Sequence, residues 1–340
     1  MTRSRQIDIK VPLIAVVIPC YKVTKHIAGV IDAIGPEVSR VYVVDDKCPD
    51  ESGAFVEANI KDKRVHVLYH DVNKGVGGAT LTGMQQAVAD GCDILVKIDG
   101  DGQMDPALIP SFVGPIIEGQ ADCTKGNRFF EIDGVKAMPT VRLIGNAGLS
   151  FMAKLSTGYW HIFDPNNGFL AVHAKVLEML PCDKIAQRYF FETDFLFRLN
   201  TVQAVVVEVP MQAVYGDEES NLHAGREITK FAYGHLRNFL KRIFYSYYLR
   251  NFSVASIEII IALVGLFFGV TYGVMAWCKS AETGIPATAG TIMLAALPVI
   301  IGMQSLFAFF NHDLNNVPKE PLHKRMRDWA SYISGISNRE

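Results

Sequence analysis

The sequence predicts an α/β domain with a mostly parallel sheet, then an amphipathic helix and two membrane-spanning helices. Three observations predict it. Between Leu13 and Val209, short apolar runs alternate with helical patterns, the order that builds a parallel sheet covered on both faces. Several of these runs end abruptly in Pro, Asp, Asn or Gly, which sets polar loops at their C-terminal ends. From Ser253 onward the composition shifts to two long apolar segments.

The elements follow in order. Strands are expected at Leu13–Ile18, Arg40–Val44, Arg64–Tyr69, Asp93–Ile98, Ala121–Lys125 and Gln203–Val209. Helices are expected between them at about Lys25–Ile34, Glu51–Ile60, Gly78–Ala89, Asp105–Glu118 and Val141–Ser156. Ile228, Phe231, Leu236, Phe239, Leu240, Ile243, Phe244 and Tyr247 then recur at near-helical spacing, with Lys and Arg on much of the other face. That pattern suits a helix lying in a membrane interface, a helix packed on the domain, or both. Val254–Trp277 is apolar apart from Glu258, and about Thr288–Phe310 carries no charge. Each segment is long enough to cross a hydrocarbon core of ~30 Å, although a buried hairpin in a soluble protein shares the composition.

Charge sets the orientation. Arg226, Lys230, Arg237, Lys241, Arg242 and Arg250 precede the first span against one acid, Glu227. Lys319, Lys324, Arg325 and Arg327 follow the second, while the connecting loop offers only Lys279. Both flanks are therefore expected in the cytoplasm, in a multi-pass protein of the inner or plasma membrane. The expected division is residues 1–225 as the α/β domain, 226–252 as the juxtamembrane helix, 253–311 as the hairpin and 312–340 as a cytoplasmic tail.

Composition narrows the function. The 340 residues are 49% hydrophobic, enough for one substantial domain with an appendage. A net charge of −2 argues against a nucleic-acid partner. The six cysteines are scattered without C-x-x-C spacing and read as reduced, mostly buried residues of a cytosol-facing domain. Met1–Lys10 is polar and Val11–Pro19 is short and strand-like, so no secretory signal is expected.

Four loops carry the chemistry. In Ile94–Gln103 an apolar run ends in Asp99-Gly100-Asp101-Gly102-Gln103. Two carboxylates one residue apart at a strand's C-terminal end can hold Mg²⁺ or Mn²⁺, and through it a diphosphate; a solvated turn would look the same in isolation. In VIPCYK, Pro19 stops the strand and Tyr21 can border a base. In VVDDKCPDES, Asp45 or Asp46 can accept from ribose hydroxyls or a base N–H. In NKGVGGA, Lys74 and Gly75 precede a helix N-terminus, a site for anions or close nucleotide contact. This loop lacks the spacing of a P-loop or of a dinucleotide fingerprint.

Taken together with GNRFF (Gly126–Phe130), Arg142 with Asn146, DPNNGF (Asp164–Phe169) and FETD (Phe191–Asp194), these loops resemble the inverting family 2 glycosyltransferases of GT-A fold. Within them the chain is similar to the dolichyl-phosphate-mannose-synthase-like, or polyprenyl-phosphate glycosyltransferase, branch from Leu13 to about Leu222. The resemblance implies that Pro19, Tyr21, Asp46 and Lys74 line the nucleotide. It implies that Asp99 and Asp101 serve the metal and diphosphate, joined by Gln103. It sets DPNNGF beside the donor sugar, and Glu192 and Asp194 where the family carries its general base. Two features depart from the pattern. Lys22 stands where the family often has Asn followed by an acid. Tyr215–Leu222 replaces the arginine and G-x-S turn usual in mannose synthases, so mannose and GDP are not implied.

A polyprenyl phosphate needs cations near the bilayer. Arg128 and Arg142 are the candidates, since guanidinium matches phosphate oxygens bidentately, though Arg142 also reads as a surface helix cation. The expected activity is therefore transfer of a UDP-linked hexose or N-acetylhexosamine to polyprenyl phosphate with inversion. Extension of a polysaccharide hydroxyl is the alternative within enzymes, but the chain has no Q-x-x-R-W motif. A non-catalytic membrane adaptor on the same fold is the alternative outside them. A homo-oligomer is left open.

Overall fold

β-Branched apolar runs become the central strands. In the computed structural model, which describes residues 11–130, 140–212 and 224–326, β1 (Ile14–Cys20) is buried along its whole length. It pairs in parallel with β2 (Arg40–Asp45) and β4 (Ile94–Lys97), and β2 pairs in parallel with β3 (Val65–Tyr69). With β5 (Cys123–Asn127), β6 (Leu170–His173) and β7 (Val206–Pro210), the sheet runs β3-β2-β1-β4-β6-β5-β7. β6 is antiparallel to both neighbours, and β5 and β7 are parallel.

The six expected strands are present, with ends within three residues of those read from the sequence. β6 is an addition. Its four residues follow a turn directly and run straight into a helix, so their pattern carries no period. Only pairing with β4 and β5, distant in sequence, makes them a strand.

Helices cover the sheet: α1 (Ile27–Asp32), α2 (Ser52–Asn59), α3 (Val76–Ala89), α4 (Ile109–Ile117), α5 (Thr140–Thr157), α6 (Ala174–Glu178) and α7 (Phe191–Val202). α3 lies close on the sheet because Gly83 has no side chain; a Cβ there would meet Val17 at 2.4 Å. On α4, Phe112 stacks on Phe169 with ring centroids 3.8 Å apart, which seats the loop before β6.

α8 (Ala224–Phe244) buries several polar side chains and exposes several apolar ones. Its polar residues His235, Asn238 and Arg242 are buried, while Tyr233, Leu236, Leu240 and Phe244 are exposed along one stripe. His235 Nδ1 pairs with Ser156 at 2.8 Å, and Asn238 donates to Asp194 at 2.8 Å. The helix therefore docks by one face and leaves an apolar stripe exposed on the other.

The chain divides into two compact units, Met1–Asn238 with Pro318–Glu340, and Phe239–Val317. The return to the first unit is specific. Asp122, wholly buried before β5, accepts from the amides of Val205, Leu322 and His323 and from His323 Nδ1. These donors, above all His323, outweigh the cost of burial and hold the Asp122 carboxyl below its ordinary pKa.

The second unit holds α9 (Val254–Thr283) and α10 (Ala289–Asn315). Both are long and apolar enough to cross a membrane. They touch through small residues, since a Cβ at Gly265 would meet the Pro298 carbonyl at 2.7 Å and one at Gly269 the Ala295 carbonyl at 2.7 Å. Only 28% and 11% of their most apolar windows are buried within the chain, unlike core helices of a soluble protein. At one end, Arg242 forks onto Asp313 at 2.6 and 2.9 Å, and Tyr247 donates to the same carboxylate.

Candidate active site

The loops at the C-terminal ends of β1, β2 and β4 gather on one edge of the sheet. After β4, Asp99 is partly exposed and its amide donates to Met104 Sδ at 3.4 Å. Asp101 Oδ1 accepts from the Gln103 amide at 3.0 Å, and Gly102 takes φ +79°, so a tight turn presents both carboxylates. Lys22, Lys47 and Glu51 adopt left-handed φ of 61°, 55° and 50° in the two neighbouring loops. Such non-glycine conformations cost on the order of 1 kcal/mol each and concentrate at functional sites. Asn tolerates this conformation better than Lys, which gives the departure at Lys22 a local energetic cost.

The acids after β2 face inward. Asp45 accepts from the amides of Cys48 and Gly53, both at 2.7 Å. Asp46 accepts from the amides of Lys74 at 2.8 Å and Gly75 at 2.7 Å and pairs with His70 Nδ1 at 2.7 Å. The structure thus gives Asp46 the work of building the loop that carries Lys74, which is itself exposed. The glycines of that loop serve packing as well. A Cβ at Gly75 would meet the Gln187 carbonyl at 2.7 Å, and one at Gly77 the Ala186 carbonyl at 2.7 Å. Tyr21 is exposed beside buried Pro19 at the mouth of the same edge.

Asp164–Gly168 is the junction of the site. Asp164 grips Arg128 in a fork at 2.8 and 3.0 Å. Asn166 Oδ1 accepts from the Thr193 hydroxyl at 3.1 Å, and the Asn167 carbonyl accepts from Lys125. Gly168 leaves room for Asp99, because a Cβ there would meet Asp99 Oδ2 at 2.4 Å and Lys97 Nζ at 2.6 Å. Lys97 is wholly buried, with Nζ 2.7 Å from Asp99 Oδ1 and 3.5 Å from Glu192 Oε1. Burial pulls the Lys97 ammonium down, but Asp99 and Glu192 outweigh it and its pKa stands above the ordinary lysine value. Lys125 is equally buried, and burial pulls it down to about 8 despite Glu192 and Asp164 nearby.

Glu192 and Asp194 do not act as a pair. Two positions apart on a helix, they lie about 200° apart around its axis. Glu192 reaches Lys97, whereas Asp194 is wholly buried, accepting from the Ala186 amide and from Asn238, each at 2.8 Å. Asp194 thus anchors α8 and the loop before α7.

Comparison with known proteins decides the family. The pattern of the family described as Glycosyl transferase family 2 matches residues 15–180. The UDP-N-acetylglucosamine–dolichyl-phosphate N-acetylglucosaminyltransferase of Methanococcus voltae is 30% identical over 217 residues, covering 60% of this chain and 86% of that protein. The chain belongs to glycosyl transferase family 2. The undecaprenyl-phosphate mannosyltransferase of Micrococcus luteus is 32% identical to this glycosyltransferase, covering 54% and 74% of the two chains. Among solved structures, glucosyl-3-phosphoglycerate synthase from Mycobacterium tuberculosis in complex with Mg²⁺ and uridine-diphosphate aligns with a TM-score of 0.51 at 20% identity, over 68% of this chain and 79% of that one. That likeness supports the GT-A fold.

The donor set of the glycosyltransferase fits a divalent cation. Among the described residues no three of His, Cys, Asp or Glu gather into a closed metal cage. Asp99 and Asp101 instead offer the two-carboxylate, oxygen-rich set that Mg²⁺ and Mn²⁺ take when substrate phosphates complete the shell. Gly168 packs closely against Asp99 Oδ2. The side chain of Arg142, the Asn146 side chain and Tyr215–Leu222 lie outside the described residues. Sequence reading missed Lys97 and Lys125. Their signal was a lysine inside each of two short buried strands, a residue almost never fully buried unless paired.

Proposed function

We propose that this glycosyltransferase moves a hexose or N-acetylhexosamine from a UDP-linked donor to a polyprenyl phosphate at the cytoplasmic face of the membrane, with inversion. The observation that carries the reading is the joining of the carboxylate edge to membrane-directed elements. Asp99, Asp101 and Arg128 share one unit with the part of α8 up to Asn238, where Tyr233 and Leu236 are exposed, and the chain continues into two open apolar helices. Relatives named as dolichyl- and undecaprenyl-phosphate transferases support the acceptor class.

Asp99 and Asp101, with Gln103 beside them, would hold the cation, which supplies charge compensation to the diphosphate. Pro19, Tyr21, Lys74 and Gly75 line the nucleotide, with Asp46 fixing the loop that carries Lys74 and Gly75. Arg128, oriented by Asp164, receives the acceptor phosphate. Arg142 is assigned the same role from its place in the sequence alone. A phosphate monoester has a second pKa near ~6 and is largely ionised at neutral pH. Its oxygen attacks the anomeric carbon opposite the departing diphosphate, and Glu192 orients it. The basic flanks of the hairpin favour a cytoplasmic catalytic unit and tail. The tail's attachment at Asp122 supports the same side for both, since an even number of spans returns the chain to its origin.

The test incubates membranes bearing the protein with polyprenyl phosphate and a panel of labelled nucleotide sugars, then extracts into organic solvent. Label in the organic phase, lost with EDTA and in Asp101→Asn, is expected. Transfer only to a water-soluble glycan would refute the acceptor.

A further inference from the structure

Lys97 does not touch solvent, yet it joins the two halves of the site. Its place is set by sheet register. Lys97 lies opposite Leu170, Leu170 opposite Lys125, and Lys125 opposite Glu208. Directly opposed residues share a face, so β4, β6, β5 and β7 carry a row of Lys, Leu, Lys and Glu beneath the loops. A buried ammonium is retained at a cost of several kcal/mol unless its partners repay it. The partners of Lys97 come from different elements: Asp99 on its own strand's loop, and Glu192 at the start of α7. Gly168 closes over both the Lys97 ammonium and the Asp99 carboxylate, with no room for a side chain.

We propose that Lys97 is a positioning residue that fixes the Asp99 carboxylate for the metal-bound diphosphate and holds Glu192 at a set distance from it. The inference rests on the transfer reaction proposed above. Its physical content is local charge balance. Lys97 stands between Asp99 and Glu192, Arg128 pairs with Asp164 and Lys125 donates to the Asn167 carbonyl, so each carboxylate behind the donor's cation and diphosphate has a cation against it. Without Lys97, Asp99 and Glu192 are two carboxylates without the cation between them. Asp99 then turns toward solvent and loses the single orientation in which one oxygen is held by the ammonium and the other faces Gly168.

The test compares wild type, Lys97→Met and the charge-balanced double variant Lys97→Met/Glu192→Gln, all as full chains in detergent or membranes. Three readouts are taken: Mn²⁺ affinity in the presence of UDP by electron paramagnetic resonance, kcat and KM for the sugar donor, and thermal midpoint. Lys97→Met is expected to weaken Mn²⁺ binding with UDP about tenfold or more and to lower kcat/KM about 10²-fold, the scale of a misplaced catalytic group. The double variant is expected to recover the melting temperature without recovering Mn²⁺ affinity. A purely structural role would show the reverse, with affinity and kcat/KM returning along with stability, and would overturn the proposal. So would a Lys97→Met protein within threefold of wild type in Mn²⁺ affinity. Wild-type protein that binds Mn²⁺ and UDP but transfers no sugar to lipid would retire the acceptor reading and leave the Lys97 comparison standing. Wild-type protein that binds neither overturns both.

Discussion

Gly168→Ala is the smallest change that separates the fold from the site. A methyl group there would sit 2.4 Å from Asp99 Oδ2, 2.6 Å from Lys97 Nζ and 2.8 Å from Met104 Cε. Ordinary contact requires about 3.5 Å, so Asp99 must withdraw by about 1 Å. All three obstructing atoms are ends of side chains, and Gly168 has no positive φ, so the backbone need not move. What breaks is the Lys97–Asp99 contact of 2.7 Å. A displacement of about 1 Å in a group that serves the reacting atoms can cost on the order of 10²-fold in kcat/KM. The assay is transfer of labelled sugar to polyprenyl phosphate alongside a thermal melt. A loss of at least tenfold is expected, with a fall in melting temperature that leaves the chain folded at the assay temperature. Full activity would refute the close fit of Gly168 to Asp99, and a collapse of the melt matching the lost activity would refute the separation.

Two further predictions concern the membrane-facing parts. Burial holds His235 down to about 4 from 6.5, so the unfolded chain binds this proton more readily than the folded one. The stability it contributes is complete above about pH 6.5 and lost as pH falls toward about 4, by up to about 3 kcal/mol before solvent screening. Thermal melts of wild type and His235→Gln across that range should converge at low pH; parallel curves would remove His235 as the cause. In the hairpin, Gly265→Leu should separate α9 from α10, because a side chain there meets a backbone carbonyl that cannot rotate away, whereas Gly273→Ala, at 3.4 Å from Ala295, should be tolerated. Spin labels on the two helices would read the distance, and an unchanged distance in Gly265→Leu would reject the packing.

Strand and helix order was legible because burial on both faces of a parallel sheet leaves apolar runs of recognisable length. The four loops were legible because Asp, Gly and Pro interrupt those runs. What those residues do was less so. Asp45 and Asp46 read as groups waiting for a nucleotide, but their oxygens are engaged by backbone amides up to 29 residues away. Gly75 and Gly77 read as a phosphate cradle, and they also admit the Ala186–Gln187 backbone. Lys97 and Lys125 passed as part of apolar strands, because nothing local says that register will align them on either side of Leu170. The polar inner face of α8 was hidden for the same reason. His235, Asn238 and Arg242 find partners only in the folded chain, and only then does the exposed apolar stripe stand out.

The pairing of Glu192 bears on the nature of the acceptor. A sugar hydroxyl is a weak nucleophile at neutral pH and depends on a general base, an effect of roughly 10²–10⁴-fold. Such a base must be free to take a proton. Glu192 instead lies 3.5 Å from the buried Lys97 ammonium that also holds Asp99, so its carboxylate is already engaged in positioning. Asp194 is no substitute, since Asn238 and the Ala186 amide already engage it. A phosphate acceptor removes the requirement, because it arrives as an anion. It needs a cation to receive it and a rigid wall to aim it. On the proposed reading Arg128, in the grip of Asp164, meets the first need. Lys97, buried behind Asp99 and Glu192, would keep that wall in place. The same charges that make Glu192 a poor candidate for proton removal therefore suit a site whose nucleophile is already ionised.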